Sequence, residues 1–445
     1  MRYAVALLCS VCLMAASFNF AGAESLTLEQ AVNIALKDNP ALKADSWGVV
    51  TQEEELGAAK GHLYPKISIV EKYSRTNSPT YGFMSKLDQE RFTQDDFQIS
   101  SLNDPADISD YQTSLSFEQP LFVPGIYLGI GMSSGELDAK RAEYERKKDE
   151  VTLDVIRNFL SVRTAEEYLR IALAAVKDAQ EHEHLASVRY KAGAGLYSDV
   201  LRTEVSVKRS EAMVISAEGN LEIAKRALGL VLGRSGPVEV AGDKPVLPLD
   251  DLNVYLETSG QRGDLKAFRL RHENSLKAVK LERSVFVPEV GIGGSYNMHD
   301  HKDPFSPEGE SYYLMGILRW NLFDASSYHK IRKAKAKANE TEEHLSGLEK
   351  EIDFRINEAY TKVREKEKLL SLAAAVLKEA EEALRLVRVR YENSLAPMID
   401  LLDTQVVLNN ARAELIEADN DYTMAIADLY FQSGILSKTL ERGRH

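Results

Sequence analysis

The chain has 445 residues, 44% hydrophobic and 28% charged, and its 55 basic against 68 acidic side chains give a formal charge of −13. That acidic balance excludes a nucleic-acid-binding role, because phosphate recognition requires a basic face. The two cysteines, Cys9 and Cys12, both lie near the N-terminus, so neither a disulfide framework nor a cysteine-ligated metal is expected in the mature chain.

Residues 1–23 read as a signal peptide. Arg2 supplies a short basic start, Ala4 to Phe20 is largely apolar, and Ala21-Gly22-Ala23 offers a small-residue cleavage site. Cleavage would remove Arg2 and leave 54 − 68 = −14 charges. No later stretch has the roughly 18 consecutive apolar residues of a spanning helix, so any entry into a membrane has to be as strands.

Residues 24–232 are expected to form a first structural repeat. A strand at about 64–74 sets Ile67, Ile69 and Tyr73 against Ser68, Val70, Lys72 and Ser74. Arg75 to Asp110 is polar and aromatic and reads as a large exposed loop. A second strand at about 113–122 sets Leu115, Phe117 and Leu121 against Ser114, Ser116 and Glu118. From Met132 to Val188 proline is absent and glycine nearly so, and a helix of that length reaches roughly 80–90 Å. Val200, Val207, Val214, Leu221 and Leu228 then recur every seven residues, with small Thr203, Ser210, Ala217 and Ala224 between them.

Residues 233–250, rich in Gly and Pro, read as a linker, and residues 251–436 as a second repeat. Its strands are expected at about 287–297 and 312–322, with a shorter loop from Met298 to Glu310 between them. Ile352, Ile356, Tyr360 and Val363 keep the spacing of Val151, Val155, Phe159 and Val162. The last helix repeats Leu401, Leu408, Leu415, Tyr422 and Leu429 every seven residues, with Thr404, Ala411, Ala418 and Ala425 interleaved. Strict heptads mean supercoiled helix packing, and small residues in register let the backbones approach. Residues 437–445 are left as a tail.

The two halves are copies. Leu42-Lys43-Ala44, Pro65 and Tyr73 return as Leu265-Lys266-Ala267, Pro288 and Tyr296, a shift of 265 − 42 = 223. Leu121-Phe122, Arg189-Tyr190 and Asp199 return as Leu322-Phe323, Arg390-Tyr391 and Asp400, a shift of 322 − 121 = 201. The difference of 22 residues falls in the first strand pair, whose loop is longer by that amount.

Strands of about ten residues with a Gly- and Ser-rich second face, and with Tyr73, Tyr296, Tyr312 and Trp320 near their ends, match outer-membrane strands. Four strands cannot close a barrel, and lipid does not tolerate open edges. Two chains give eight strands and a filled interior, whereas three give twelve and an open lumen.

Several motifs, in order, carry a family resemblance. Ser25-Leu26-Thr27-Leu28-Glu29-Gln30-Ala31, Asn39-Pro40-Ala41-Leu42, Arg189-Tyr190-x-x-Gly193 before Asp199-Val200-Leu201, and Arg390-Tyr391 before Asp400-Leu401-Leu402-Asp403 resemble the TolC-type outer membrane factors across the mature chain. The resemblance implies a mainly α fold with membrane β: a homotrimer whose twelve-stranded β-barrel, four strands per chain, continues into a periplasmic α-helical coiled-coil barrel. It implies an exit duct for a tripartite efflux pump or a type I secretion system, working with a periplasmic adaptor and an inner-membrane transporter. The alternative is a soluble periplasmic coiled-coil adaptor or scaffold, which leaves the matched strand pairs without a purpose.

Asp400 and Asp403 lie three apart on one helix face, so in a trimer each would form a ring of carboxylates that narrows the passage and attracts cations. The plain alternative makes Asp400 a helix cap and Asp403 solvated surface. The resemblance favours the ring and adds Tyr391 as a gating residue, although the arginine usual between Tyr391 and Asp400 is here Ala396. It also places adaptor contacts at Ala192, Gly193 and Ala194 and at Asn393, Ser394 and Leu395, with Ser394 replacing the usual tip glycine. In the first repeat Arg202 stands where the second carboxylate would be. His299-Asp300-His301 lacks an evident third ligand and His182-Glu183-His184 reads as a solvated face, so no metal and no cofactor is expected. No G-x-S-x-G, P-loop or H-E-x-x-H motif occurs, and the chain is not expected to be an enzyme.

Overall fold

A computed structural model describes residues 25–242, 244 and 247–442. The expected signal peptide, both cysteines and the last three residues lie outside them.

The elements in chain order are α1 (Leu28–Asp38), α2 (Pro40–Gly61), β1 (Lys66–Thr76), α3 (Pro79–Asp88), a turn of 3-10 helix (Gln94–Phe97), α4 (Ile99–Asn103), β2 (Ile108–Phe122), α5 (Pro124–Lys191) and α6 (Tyr197–Val231). After the linker come α7 (Leu252–Thr258), a 3-10 turn (Ser259–Gln261), α8 (Gly263–Ser284), β3 (Glu289–Asp300), β4 (Gly309–Arg319), α9 (Ala325–Glu392), α10 (Met398–Ser433) and α11 (Leu436–Arg442). The duplication is visible in the helices: α5 and α9 both have 68 residues and start 325 − 124 = 201 apart. Each is about 100 Å long. No helix among the described residues is long and apolar enough to cross a membrane.

The four strands form one antiparallel sheet in the order β1-β2-β3-β4, so the two hairpins of the repeats pair through β2 and β3. Register fixes the faces. Ile67 opposes Phe117, Ile69 opposes Leu115, Leu115 opposes Tyr296, Tyr296 opposes Tyr312 and Val290 opposes Leu318, which gathers these residues on one apolar face. The other face is mainly polar, although β4 adds Tyr313, Met315 and Ile317 to it: Ser68 Oγ lies 2.8 Å from Ser116 Oγ, and Ser114 Oγ donates to Asn297 Oδ1 at 2.7 Å. All four strands are displaced by two to five residues, at one end or both, from the bounds the alternation predicts, and two of the differences have a visible cause. β2 begins at Ile108 because Ile108 to Gln112 pair with Thr76 to Lys72, although that polar stretch has no clean apolar period. β4 stops at Arg319 because the Trp320 indole N–H donates to the Phe286 carbonyl at 3.0 Å, turning the chain toward α9. There Asp324 caps α9 by accepting the Ser326 N–H at 2.9 Å.

Away from the sheet the helices lie side by side in the order α6-α5-α10-α9, as two hairpins joined by α5 against α10. Nearer the sheet, where α2 and α8 lead into β1 and β3, the order is α2-α5-α8-α9. Their seams are the heptad positions. Val200, Val207 and Leu228 of α6 are buried, and so are the small Thr203, Ser210 and Ala217. In α10 the same holds for Leu401, Leu408, Ala411 and Leu429.

The main core sits where the helices meet the linker and the chain start. Phe159, Ile156, Tyr255, Ile356, Leu429 and Leu436 are fully or almost fully buried there. The linker is tied down: Leu26 forms a parallel bridge to Val240, and the Tyr430 hydroxyl donates to the Pro248 carbonyl at 2.7 Å. Asn39 joins the start of α2 to the end of α6, accepting the Leu42 N–H at 3.1 Å and donating to the Val231 carbonyl at 2.8 Å.

Two buried guanidiniums close the end of α10, whose last carbonyls have no partner inside the helix. Arg146 Nη1 donates to the Phe431 carbonyl at 2.8 Å and Arg262 Nη1 to that of Gln432 at 2.6 Å. Asp264 lies between them, taking both Arg262 Nη2 at 2.6 Å and Arg262 Nε at 3.0 Å. Burial, and then the neighbouring Arg262 charge, bring the Arg146 guanidinium down to about 10.

Candidate functional site: the paired hairpin tips

The far ends of the two helical hairpins come together, and the local backbone of each is the same. After α5, Gly193 turns left-handed at φ 72°, its N–H bonds the Tyr190 carbonyl at 2.9 Å, and the Ala194 N–H bonds that of Arg189 at 2.9 Å. After α9, Ser394 takes that left-handed place at φ 62°, with Ser394 N–H to the Tyr391 carbonyl at 2.9 Å and Leu395 N–H to that of Arg390 at 2.8 Å. A serine there costs roughly 1 kcal/mol relative to glycine.

Arg189 reaches across from the first tip to the second. Its Nη1 donates to the Tyr391 carbonyl at 2.7 Å, its Nη2 hydrogen-bonds the Ser394 hydroxyl, and its guanidinium lies 4.9 Å from the centre of the Tyr391 ring. The serine hydroxyl thus gains a charged partner that glycine could not offer. Tyr391 is only 6% exposed, in a cluster with Ala186, Val200, Met398 and Leu401. Burial pushes its phenol pKa up against the opposing pull of Arg189, so it stays neutral.

Asp400 and Asp403 occupy the first turns of α10, and both are exposed. Among the described residues neither carboxylate has a hydrogen-bond or ion-pair partner within the protomer. The first-repeat counterpart differs, because Asp199 lies 3.8 Å from Arg202 one turn on. The second repeat therefore presents two uncompensated carboxylates where the first presents a neutralised pair. Ala192, Gly193, Ala194, Asn393, Ser394 and Leu395 form the exposed turns at the extreme end.

The structure brings Tyr391 together with Arg189 and Ser394, and sets Asp400 and Asp403 on the open surface beside them. Arg189 was visible in the sequence only as half of a repeated Arg-Tyr pair. Its counterpart Arg390 is exposed, and nothing in the local sequence separates the two.

Two histidine motifs sit differently from their sequence reading. His182 is buried, not solvated, with Nε2 3.4 Å from Gln405 Oε1 between α5 and α10, and burial holds its pKa below the usual imidazole value. In the second loop His299 turns to Asp110 at 3.1 Å, while Glu308, seven residues beyond His301, joins Asp300 and His301 with donor atoms within 4.8 Å of one another. The turn that brings this third ligand back onto His301 leaves no periodic trace in the sequence.

Comparisons with known proteins agree with this geometry. The family model described as "Outer membrane efflux protein" matches residues 31–234 and 254–434. The chain is 22% identical over 446 residues to the proteases secretion protein PrtF of Dickeya chrysanthemi, covering 95% of this chain and 91% of that protein. It is 22% identical over 316 residues to nodulation protein T of Rhizobium leguminosarum bv. trifolii, covering 67% of this chain and 66% of that protein. The solved outer membrane protein VceC of Vibrio cholerae superposes with a TM-score of 0.75 at 16% identity, covering 92% of this chain and 96% of that one. The chain belongs to the outer membrane efflux protein family, whose members are non-enzymatic outer-membrane channels with a periplasmic extension.

Proposed function

We propose that three copies of this chain close into one continuous duct that carries material passively from periplasm to exterior, for a tripartite efflux pump or a type I secretion system. The observation that carries this reading is that the protomer's sheet and its helical row each have two unfinished ends. β1 and β4 each keep one edge unpaired, and α6 and α9 end the helical row on the same two sides. Both helices expose apolar residues there: Ile215, Ile223 and Leu230 on α6, and Leu369, Leu372 and Val376 on α9. An interface that joins one end of the row to the other end of the next copy is head-to-tail and closes only as a ring.

In that ring the apolar face of the sheet meets outer-membrane lipid and the Ser- and Asn-rich face lines the lumen. Asp400 and Asp403 form two carboxylate rings at the periplasmic entrance, beside the tip held by Tyr391. The turns at 192–194 and 393–395 are the contact for a periplasmic adaptor, through which the duct meets an inner-membrane transporter. A soluble adaptor would leave the apolar sheet face in water, which argues against it. The test is the detergent-extracted protein. A trimer on unboiled gels that conducts ions in planar bilayers is expected, and a detergent-independent monomer without conductance refutes the duct.

A further inference from the structure

The 22-residue surplus of the first strand pair is not a loose loop. Residues 79–103 fold into α3, a 3-10 turn and α4 around a small aromatic core, with the rings of Phe83 and Phe92 4.7 Å apart and those of Phe92 and Phe97 5.0 Å apart. The turn at 301–308 in the second repeat has no equivalent.

This subdomain is fastened to one face of the sheet, the polar one. Gln89, fully buried, donates to the Ser109 carbonyl and to Asp110 Oδ1, each at 2.8 Å. Asp110 pairs with Ser74 in register and so shares the face of Ser68, Ser114 and Ser116. Gly82 packs on the Ile108 side chain, from the same face. Gly309 opposes His299 in register, and a side chain there would meet the Asp88 carbonyl at 1.9 Å, so the end of α3 lies directly on the start of β4. Arg91 Nε, 3.7 Å from Glu308 Oε1, adds a link to the second turn. These contacts all lie at the outer strand ends. The insertion therefore leans over the inner side of the wall, not outward over lipid.

We propose that the insertions of three copies meet over the outer mouth of the barrel and cap it, each insertion docking on a second copy of itself. This rests on the trimer reading, and the physical argument is one of space. Twelve strands about 4.8 Å apart and tilted about 40° close at a backbone diameter of about 24 Å. Three bodies each wider than about 11 Å cannot lie within such a circle without touching one another, and a body of two helices and a 3-10 turn is wider than the roughly 10–12 Å of one helix. The surface that would touch is apolar: Met84 and Leu87, half a turn away from Gly82 and Gln89, are exposed, as are Tyr81, Phe97 and Ile99. In a lone protomer those side chains face water, and in the ring they cover one another.

Two measurements on the full-length protein test the cap. Ser116→Cys places a thiol on the polar face below the insertion, in a mature chain expected to hold no other cysteine. A bulky polyethylene-glycol maleimide added outside intact cells is expected to label it about tenfold more slowly than in a variant whose residues 80–103 are a short Gly-Ser turn. Equal rates overturn the cap. If the shortened variant does not fold, Met84→Cys in the complete chain serves instead. A short bis-maleimide is expected to join two subunits on a denaturing gel. A protein that runs as a trimer unboiled but never cross-links through Met84→Cys refutes the cap and leaves the trimer standing, whereas a monomer removes both.

Discussion

At the residue scale, the tip is held by one arginine from the other repeat. Arg189 contacts the main-chain carbonyl and ring face of Tyr391 and the Ser394 hydroxyl. Replacing it by alanine should loosen residues 390–397, read as amide hydrogen exchange at least several-fold faster at that turn. Lysine should not restore protection, because one ammonium cannot serve two acceptors in a fixed fork. Unchanged exchange in Arg189→Ala would show that the cluster around Tyr391 alone holds the tip. Tyr391→Phe keeps the carbonyl and the ring and should leave the tip intact, whereas Tyr391→Ala should destabilise it by about 3 kcal/mol through the cavity it creates. Asp400 and Asp403 make a separate prediction. Changing both to alanine should raise single-channel conductance and weaken block by a multivalent cation, and a block equal to wild type would take these residues out of the entrance.

At the element scale, helix ends and seams decide stability. Asp264 is partly buried, which raises its pKa, but its hydrogen bonds to Arg262 and the charges of Arg262 and Arg146 outweigh this and hold it below the usual carboxylate value. A carboxylate so depressed stabilises the fold at pH above its unfolded value and loses that contribution as pH falls through its folded value. Asp264→Asn should therefore lower the melting temperature near neutral pH, with the gap to wild type closing under acid conditions below about pH 4. A gap that is constant with pH would assign the loss to packing instead. In the seam, Ala411→Leu should cost roughly 1–3 kcal/mol by overpacking a position that is 2% exposed, measured as a lower denaturation midpoint. Such seam positions were legible in the sequence because a seven-residue period survives in any local window. The start of β2 was not, because Ile108 to Gln112 are held by pairing and by Gln89, and neither leaves a periodic trace.

At the scale of the whole molecule, the sheet and the helical row, each with two open ends, are the property on which the proposed assembly rests. Ile223 and Leu230 are 67% and 74% exposed on α6, two turns apart on one helix face. Ile223→Glu together with Leu230→Glu should bury charge at the joint between copies and yield monomers in detergent, seen as a lost trimer band on unboiled gels. A trimer that persists would place the contact elsewhere on the protomer.

The repeat, the heptads and the alternating strands were set by the sequence alone, because each is a period that local chemistry writes along the chain. Those periods carried the helical row, the four strands and their apolar face. What required the tertiary structure was every contact that follows no local period: Arg189 across to Tyr391 and Ser394, Glu308 beside His301, His182 beneath Gln405, and the insertion at 79–103 turned to the face of the sheet that carries Ser68 and Ser114. The side to which that insertion folds is set by Gln89 on Asp110 and by the pairing of Asp110 with Ser74, and no local period encodes either.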